Sequence, residues 1–167
     1  MKILIVDDEA AIRESLGLIL RYEHHEVLTA PDGKACLALL EKTPDVDLVF
    51  LDVKMPGMDG LEVLERLVAD RPGLAVVVIS GHATFDTAVE ATKKGAFDFV
   101  EKPLDREVVL LKVRKAREIS RLERENARLR HRLSDAAERM LGDSPAMQAL
   151  RDVVAKVAPT PARVLIQ

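Results

Sequence analysis

Five short apolar runs, separated by stretches with helical periodicity, place this chain in the α/β class. The expected fold is a five-stranded, doubly wound parallel sheet followed by a long helix. Three observations carry that expectation. The runs at 3–6, 26–30, 48–51, 75–79 and 97–100 are mostly apolar, and the longest are unbroken, as strands covered on both faces must be. The segments between them repeat apolar residues at three- and four-residue spacing. Gly, Pro and Asp clusters punctuate the alternation where turns are needed.

Taken in order, residues 3–6 (ILIV) end in Asp7 and Asp8, and Ile12, Leu16, Ile19 and Leu20 then line one face of a first helix. Residues 26–30 form the second strand, turned at Pro31-Asp32-Gly33 into a helix over 35–40. Residues 48–51 are a buried strand closed by Asp52. Pro56-Gly57 and Asp59-Gly60 then turn the chain into a helix over 61–68. The fourth strand, 75–79, ends in Ser80-Gly81 and feeds a helix over 84–93. The fifth, 97–100, is broken by Lys102-Pro103, and from about Asp105 a long helical pattern begins.

Composition narrows the function classes. Aromatic residues make up 3% of 167 residues, with no Trp, too few for base-stacking platforms or an aromatic sugar cleft. A single cysteine excludes an internal disulfide framework and fits a reducing compartment. The longest apolar run, 74–79, is far short of the roughly 18 residues a membrane span needs. The N-terminus, MKILIVDDE, lacks a secretory pattern, so a cytoplasmic location is expected. Charge is unevenly divided. Residues 1–105 hold 11 Lys/Arg against 20 Asp/Glu, net −9, whereas 106–140 hold 11 against 6, net +5, and 141–167 net +1. An acidic domain followed by a basic helical stretch implies parts with different partners.

In parallel α/β sheets, ligands gather beyond the carboxyl ends of the strands, near the point where strand order reverses. Four strands here end in polar groups that can share such a site: Asp7 and Asp8, Asp52, Ser80 and Lys102. Clustered carboxylates raise one another's pKa unless a cation joins them. A hard divalent ion such as Mg²⁺, which takes oxygen ligands and keeps several waters, fits that need. With the metal and Lys102 neutralising charge, one carboxylate can attack phosphorus and form an acyl phosphate, and Ser80 can donate to a phosphoryl oxygen.

Over residues 1–105 the chain resembles the receiver domain of two-component response regulators, a flavodoxin-like, CheY-like fold. The likeness rests on Val6-Asp7-Asp8-Glu9, on the run from Leu51 to Gly60 (LDVKMPGMDG) and on Val100-Glu101-Lys102-Pro103, with Ser80 between them at the matching strand end. The resemblance implies that Asp52 accepts a phosphoryl group from a sensor histidine kinase. It implies that Asp8 and Asp52 bind Mg²⁺ directly, Asp7 through water, and Lys54 through its backbone carbonyl. Ser80 and Phe99 stand where the family's switch hydroxyl and switch aromatic stand, and Lys102-Pro103 matches a peptide bond that is cis in this fold. The chain is then a phosphoacceptor rather than an enzyme, with at most slow autodephosphorylation.

Residues 141–167 are similar to the opening of the AAA+ ATPase domain of sigma-54-dependent, NtrC-like activators. Ser144 is suited to cap a helix, Pro145 to its first position, and 164–166 to a strand. No G-x-x-x-x-G-K-[ST] loop occurs before Gln167, so ATP hydrolysis is expected only in a longer parent protein. Between these parts, Ile119, Leu122, Asn126, Leu129, Leu133, Ala136 and Met140 follow a 3-4 alternation, a heptad seam with Ile119, Asn126, Leu133 and Met140 at a. The expected organisation is a receiver core at 1–105, a helix continuing into a dimerising coiled coil at 106–140, and the start of an ATPase domain at 141–167. The implied partners are the kinase, a second copy of the chain, and the downstream AAA+ domain with sigma-54 RNA polymerase. No direct nucleic-acid or membrane contact is expected.

Two other readings compete. An aspartyl-phosphate phosphohydrolase of the haloacid-dehalogenase type places Asp-x-Asp after the first strand, whereas Asp7 and Asp8 are adjacent and the candidate nucleophile follows the third strand. A flavodoxin-like flavin binder wants a Ser/Thr-rich loop and flanking aromatics, where this chain has acids and one Tyr. Cys36 reads as a small core residue. His24 and His25 lack metal-ligand spacing, and His82 reads as a solvated loop position.

Overall fold

The computed structural model describes residues 1–81, 85–137 and 144–157, with the side chains of 85–86, 123–124, 126–127, 129–137 and 157 outside that description. The elements follow the expected order: β1 (Lys2–Val6), α1 (Ala10–Tyr22), β2 (Glu26–Ala30), α2 (Gly33–Lys42), β3 (Leu48–Asp52), α3 (Gly60–Asp70), β4 (Ala75–Ser80), α4 (Phe85–Lys93), β5 (Asp98–Glu101), α5 (Arg106–Ala137) and α6 (Pro145–Val157). The sheet is parallel throughout, in the order β2-β1-β3-β4-β5. The chain leaves β1 to one side for β2 and returns past it to β3, so the order reverses between β1 and β3. Asp7 directly follows β1, and Asp52 ends β3.

Alternation along each strand divides the core in two. Leu4 and Val6, Val49 and Leu51, Val76 and Val78 face α2, α3 and α4 through Cys36, Leu40, Val63, Leu64, Leu67 and Ala91. Ile3 and Ile5, Leu48 and Phe50, Val77 and Ile79 face α1 and α5 through Leu16, Leu20, Val109, Val113 and Ala116. Double coverage is why these strands carry no polar alternation. The last strand begins one residue later than the sequence suggested: Phe97 donates to Val76 O at 2.8 Å ahead of β5, and Asp98 pairs with Val77.

Turn chemistry sets the helix starts. The Asp32 side chain accepts from Ala35 N, and the Asp59 side chain accepts from Leu61 N, both at 2.8 Å. Asp105 Oδ1 accepts from Glu107 N at 2.8 Å, which fixes the start of α5. In α6, Met147 N donates to Ser144 Oγ at 3.3 Å, and Pro145 opens the helix. The Lys102–Pro103 peptide is cis, in agreement with the family resemblance.

The chain falls into two units, Met1–Leu122 and Glu123–Gln167. The apolar face of α5 that closes the sheet ends at Ala116. Beyond it, Ile119 and Leu122 are 45% and 50% exposed on the single chain. The other seam residues Asn126, Leu129, Leu133 and Ala136 lie on α5, but their side chains fall outside the description. Met140, His82 and the expected strand at 164–166 lie outside the described residues.

Gly60 couples the fold to the strand ends. A Cβ at this position would stand 2.0 Å from Asp52 O, so the backbone of α3 must lie directly against β3. Gly60→Ala should therefore cost stability in the range of about 1–3 kcal/mol that overpacking produces. Urea unfolding measures it, and an unchanged midpoint would contradict the close approach.

Candidate functional site

The first contributor is the turn after β1. Asp7 N donates to Ala30 O at 3.3 Å, which keeps the strand pairing intact to its last residue. The Asp7 side chain then turns inward, and its Oδ1 accepts from Glu9 N at 2.9 Å. Asp7 is fully buried, whereas Asp8 next to it is exposed. From the first turn of α1, Arg13 Nη1 reaches back to the backbone carbonyls of Asp7 at 2.7 Å and Asp8 at 2.9 Å.

The second contributor is the end of β3, where Asp52 pairs in register with Ile79 and is 3% exposed. Ser80, 2% exposed, closes the neighbouring strand one residue beyond Ile79. Ser80 in turn pairs with Glu101, and Lys102 N donates to Ser80 O at 2.9 Å, which brings the lysine in from β5.

These elements converge on one small volume. Asp7, Asp8 and Asp52 can each direct a carboxylate oxygen so that all three lie within 4.8 Å of one another. Lys102 Nζ stands 2.9 Å from Asp7 Oδ2, 3.0 Å from Glu9 Oε1 and 3.1 Å from Asp52 Oδ1. The contact to Asp7 Oδ2 is close enough for an ion pair but is not aligned as a hydrogen bond, so that buried oxygen keeps an unused lone pair. One ammonium thus faces three carboxylates, with Asp8 adding a fourth nearby.

The electrostatics follow from burial. Desolvation pushes the Asp52 carboxyl above the usual carboxylate value, Lys102 pulls it down, and the Asp7 and Asp8 charges push it up again. For Lys102, burial alone would lower the pKa, but the adjacent carboxylates of Asp7, Glu9 and Asp52 outweigh it and hold the ammonium firmly charged. Withdrawing that ammonium would leave two buried carboxylates uncompensated, a loss of the kind that costs about 3–5 kcal/mol. The donor set is all oxygen, negatively charged and short of cations, and one of its buried oxygens has spare capacity. It fits a hard divalent cation and would suit a soft one poorly.

The remaining candidates sit around this centre. Lys54 is exposed in the loop after β3. Phe99, half-buried on β5, pairs with Val78 and packs on the core face shared with α2, α3 and α4. Ile119 and Leu122 lie on α5, away from this cluster, and the side chains of Asn126, Leu129 and Leu133 fall outside the described residues. Two residues have site contacts that the sequence reading does not assign: Glu9, the third carboxylate on Lys102, and Arg13. Their signals were present as an acid directly after the Asp pair and a cation one helical turn into α1.

A doubly wound sheet whose strand ends gather an acid trio around one lysine defines a class, and the family comparison agrees. Residues 3–114 match the response regulator receiver domain, and the chain belongs to that family. Over 167 aligned residues it is 40% identical to the nitrogen assimilation regulatory protein NtrX of Azorhizobium caulinodans, covering 98% of this chain and 36% of that one. It is 37% identical to the C4-dicarboxylate transport transcriptional regulatory protein DctD of Pseudomonas aeruginosa, covering 99% and 36%. A crystal structure of NtrX from Brucella abortus superposes with a TM-score of 0.74 at 41% identity, covering 98% of this chain and 36% of that one. The solution structure of the beryllofluoride-activated NtrC4 receiver domain dimer gives 0.68 at 37% identity, covering 71% and 98%. The chain therefore spans about a third of the length of these full-length regulators.

The raised Asp52 pKa has a consequence for stability. A folded-state pKa above the unfolded value of 3.8 means the protonated form is favoured on folding. Its stabilising contribution is complete below 3.8 and is lost as pH rises through the folded-state pKa. Asp52→Asn, which removes the charge and keeps the shape, should then raise Tm at neutral pH in metal-free buffer, with the gain shrinking in acid. Thermal unfolding at pH 7 and below pH 4 checks this, and a lower Tm at pH 7 would contradict it.

Proposed function

We propose that this chain is the phosphorylation-controlled input part of a longer transcription activator, with Asp52 as the phosphoacceptor. The observation that carries the proposal is the buried Asp52 carboxylate, 3.1 Å from the Lys102 ammonium and beside Asp7 and Asp8. Asp8 and Asp52, with the Lys54 backbone carbonyl, would hold Mg²⁺ directly, and Asp7 through water. The ion would supply charge neutralisation for the acids and for an incoming phosphoryl group. The Asp52 oxygen attacks phosphorus, the bond from phosphorus to the kinase histidine nitrogen breaks, and the electron pair leaves with the imidazole. Lys102, already held at Asp52, is placed to follow a phosphoryl oxygen. The site transfers the group to itself, so the chain acts as a phosphoacceptor rather than an enzyme turning over a substrate.

The switch runs from the site through two neighbours. A phosphoryl oxygen draws in the Ser80 hydroxyl, which makes room for the half-buried Phe99 ring to move inward on β5. Such a change requires an interaction that differs between the two states, and the Ser80 contact provides it. Phe99 cannot donate a hydrogen bond in its inward position, so packing alone favours that arrangement. The receiver core is assigned to 1–105, the linker to 106–140 and the start of an AAA+ ATPase domain to 141–167. The naming of DctD as a transcriptional regulatory protein and of NtrX as a regulatory protein, and chains about three times longer, support this context. The partners are a sensor histidine kinase, a second copy through the α5 seam, and a downstream ATPase domain that engages sigma-54 RNA polymerase. A cytoplasmic location accords with this role. Among the described residues, no helix is long and apolar enough to cross a membrane.

The seam is proposed as a parallel, two-stranded coiled coil in which Asn126 meets its counterpart at an a layer. The exposure of Ile119 and Leu122 on the single chain supports it, because the receiver unit leaves about half of each apolar side chain uncovered. Glu125 would reach Arg130 of the second copy while Glu118 would face Glu123, so the flanking charges roughly cancel at under about 1 kcal/mol per pair and the seam must supply the association.

Two measurements test the proposal. With a small-molecule phosphodonor and Mg²⁺, the protein should gain one phosphoryl mass, Asp52→Asn should gain none, and Ser80→Ala should gain the mass without the wild-type amide shifts around Phe99. A full gain by Asp52→Asn would refute the assignment. Leu122→Glu combined with Leu129→Glu should sediment as monomer at micromolar concentration, and an unweakened dimer would place the association elsewhere.

A further inference from the structure

We infer that Arg13 is a positioning residue for the cation site, acting through the backbone that carries Asp7 and Asp8. This deepens the phosphoacceptor reading and rests on it. The two acids differ in how they are held. Asp7 is buried, with one carboxylate oxygen on Glu9 N and the other beside Lys102. Asp8 is exposed, so its direction depends on the backbone beneath it. That backbone is gripped from one point: Arg13 Nη1 donates to Asp7 O at 2.7 Å and to Asp8 O at 2.9 Å. Two successive carbonyls converging on a single nitrogen fix the planes of both following peptides, and with them the direction in which the Asp8 Cβ leaves the chain.

The anchor itself is set by helix geometry. Arg13 lies in the first turn of α1, and its own N donates to Glu9 O at 3.2 Å, as does Ile12 N. Glu9, the N-cap residue, contributes no side-chain cap. Its Oε1 stands instead at 3.0 Å from Lys102. The usual device for holding a helix start is therefore diverted to the site. The guanidinium, with several donors in a rigid fork, takes over the task of fixing the preceding turn.

The sign of the effect separates positioning from simple charge. A cation close to the site repels Mg²⁺, so if Arg13 acted only as a charge, removing it would tighten Mg²⁺ binding. If Arg13 positions Asp8, removing it loosens the ligand set, and outer partners of metal ligands typically matter by 10–100-fold in affinity. Arg13→Ala should weaken Mg²⁺ binding by roughly 10-fold or more on that basis. Arg13→Lys, which keeps the charge but offers a single ammonium on a shorter reach, should recover only part of the loss.

The experiment is calorimetric titration of the full chain with MgCl₂ for wild type, Arg13→Ala, Arg13→Lys and Arg13→Gln. It is paired with amide relaxation at Asp8 and Glu9 in metal-free buffer. Weaker Mg²⁺ binding together with increased Asp8 amide motion, in whichever variants retain the wild-type circular dichroism, supports the inference. Unchanged or tighter binding overturns it. Wild type that binds no Mg²⁺ and takes up no phosphoryl group would instead overturn the phosphoacceptor reading. If Arg13→Ala loses its fold, the Lys and Gln variants decide the question, since either keeps a side-chain donor.

Discussion

The Lys102 ammonium, inserted among Asp7, Glu9 and Asp52, is the interaction on which the rest of the arrangement depends. Strand ends that bring buried carboxylates together face a large desolvation cost and mutual repulsion. One permanent cation, 14% exposed and within about 3 Å of each of three acids, makes that gathering tolerable without satisfying it. The site remains net negative and Asp52 remains harder to ionise than an ordinary carboxyl. A cluster left in this condition gains from any further positive charge, which the proposed divalent ion would supply.

The sheet exists to deliver that geometry. Register pairs Asp52 with Ile79 and Ser80 with Glu101, so three neighbouring strands end in step and their following residues share one edge. Gly60 lets α3 start against the Asp52 carbonyl, which leaves the end of β3 little room to shift. On the opposite face, α5 is held by Val109, Val113 and Ala116 and then continues past the domain with apolar residues exposed. Phe99 packs on the other face, with α2, α3 and α4, on the strand that leads directly to Lys102.

Much of this was legible in the sequence because the signals were local or periodic. Unbroken apolar runs marked the buried strands, and each polar residue directly after a run marked a strand end. The parallel arrangement then placed those ends together. The start of β5 was read one residue early, since Phe97 is apolar but precedes the ladder, joining it through a single hydrogen bond to Val76. The roles of Glu9, named only as part of a motif, and of Arg13 are not legible in the sequence because their contacts depend on side-chain direction. A glutamate at the N-cap position is commonly assigned to the helix, and an arginine in a first turn to solvent. Neither spacing nor composition reveals that one turns to Lys102 and the other back to two carbonyls. For Asn126, Leu129 and Leu133 the seam rests on heptad spacing, joined by the exposure of Ile119 and Leu122 just before them.

The central claim is that Asp52 sits in an acid cluster short of one cation. The most direct measurement is the pH titration of the Asp52 side-chain carboxyl by carbon-13 NMR, with and without Mg²⁺. The midpoint should lie above 3.8 in metal-free buffer, because of burial and neighbouring charge, and fall markedly when Mg²⁺ is added. An ordinary midpoint that does not respond to Mg²⁺ would contradict it.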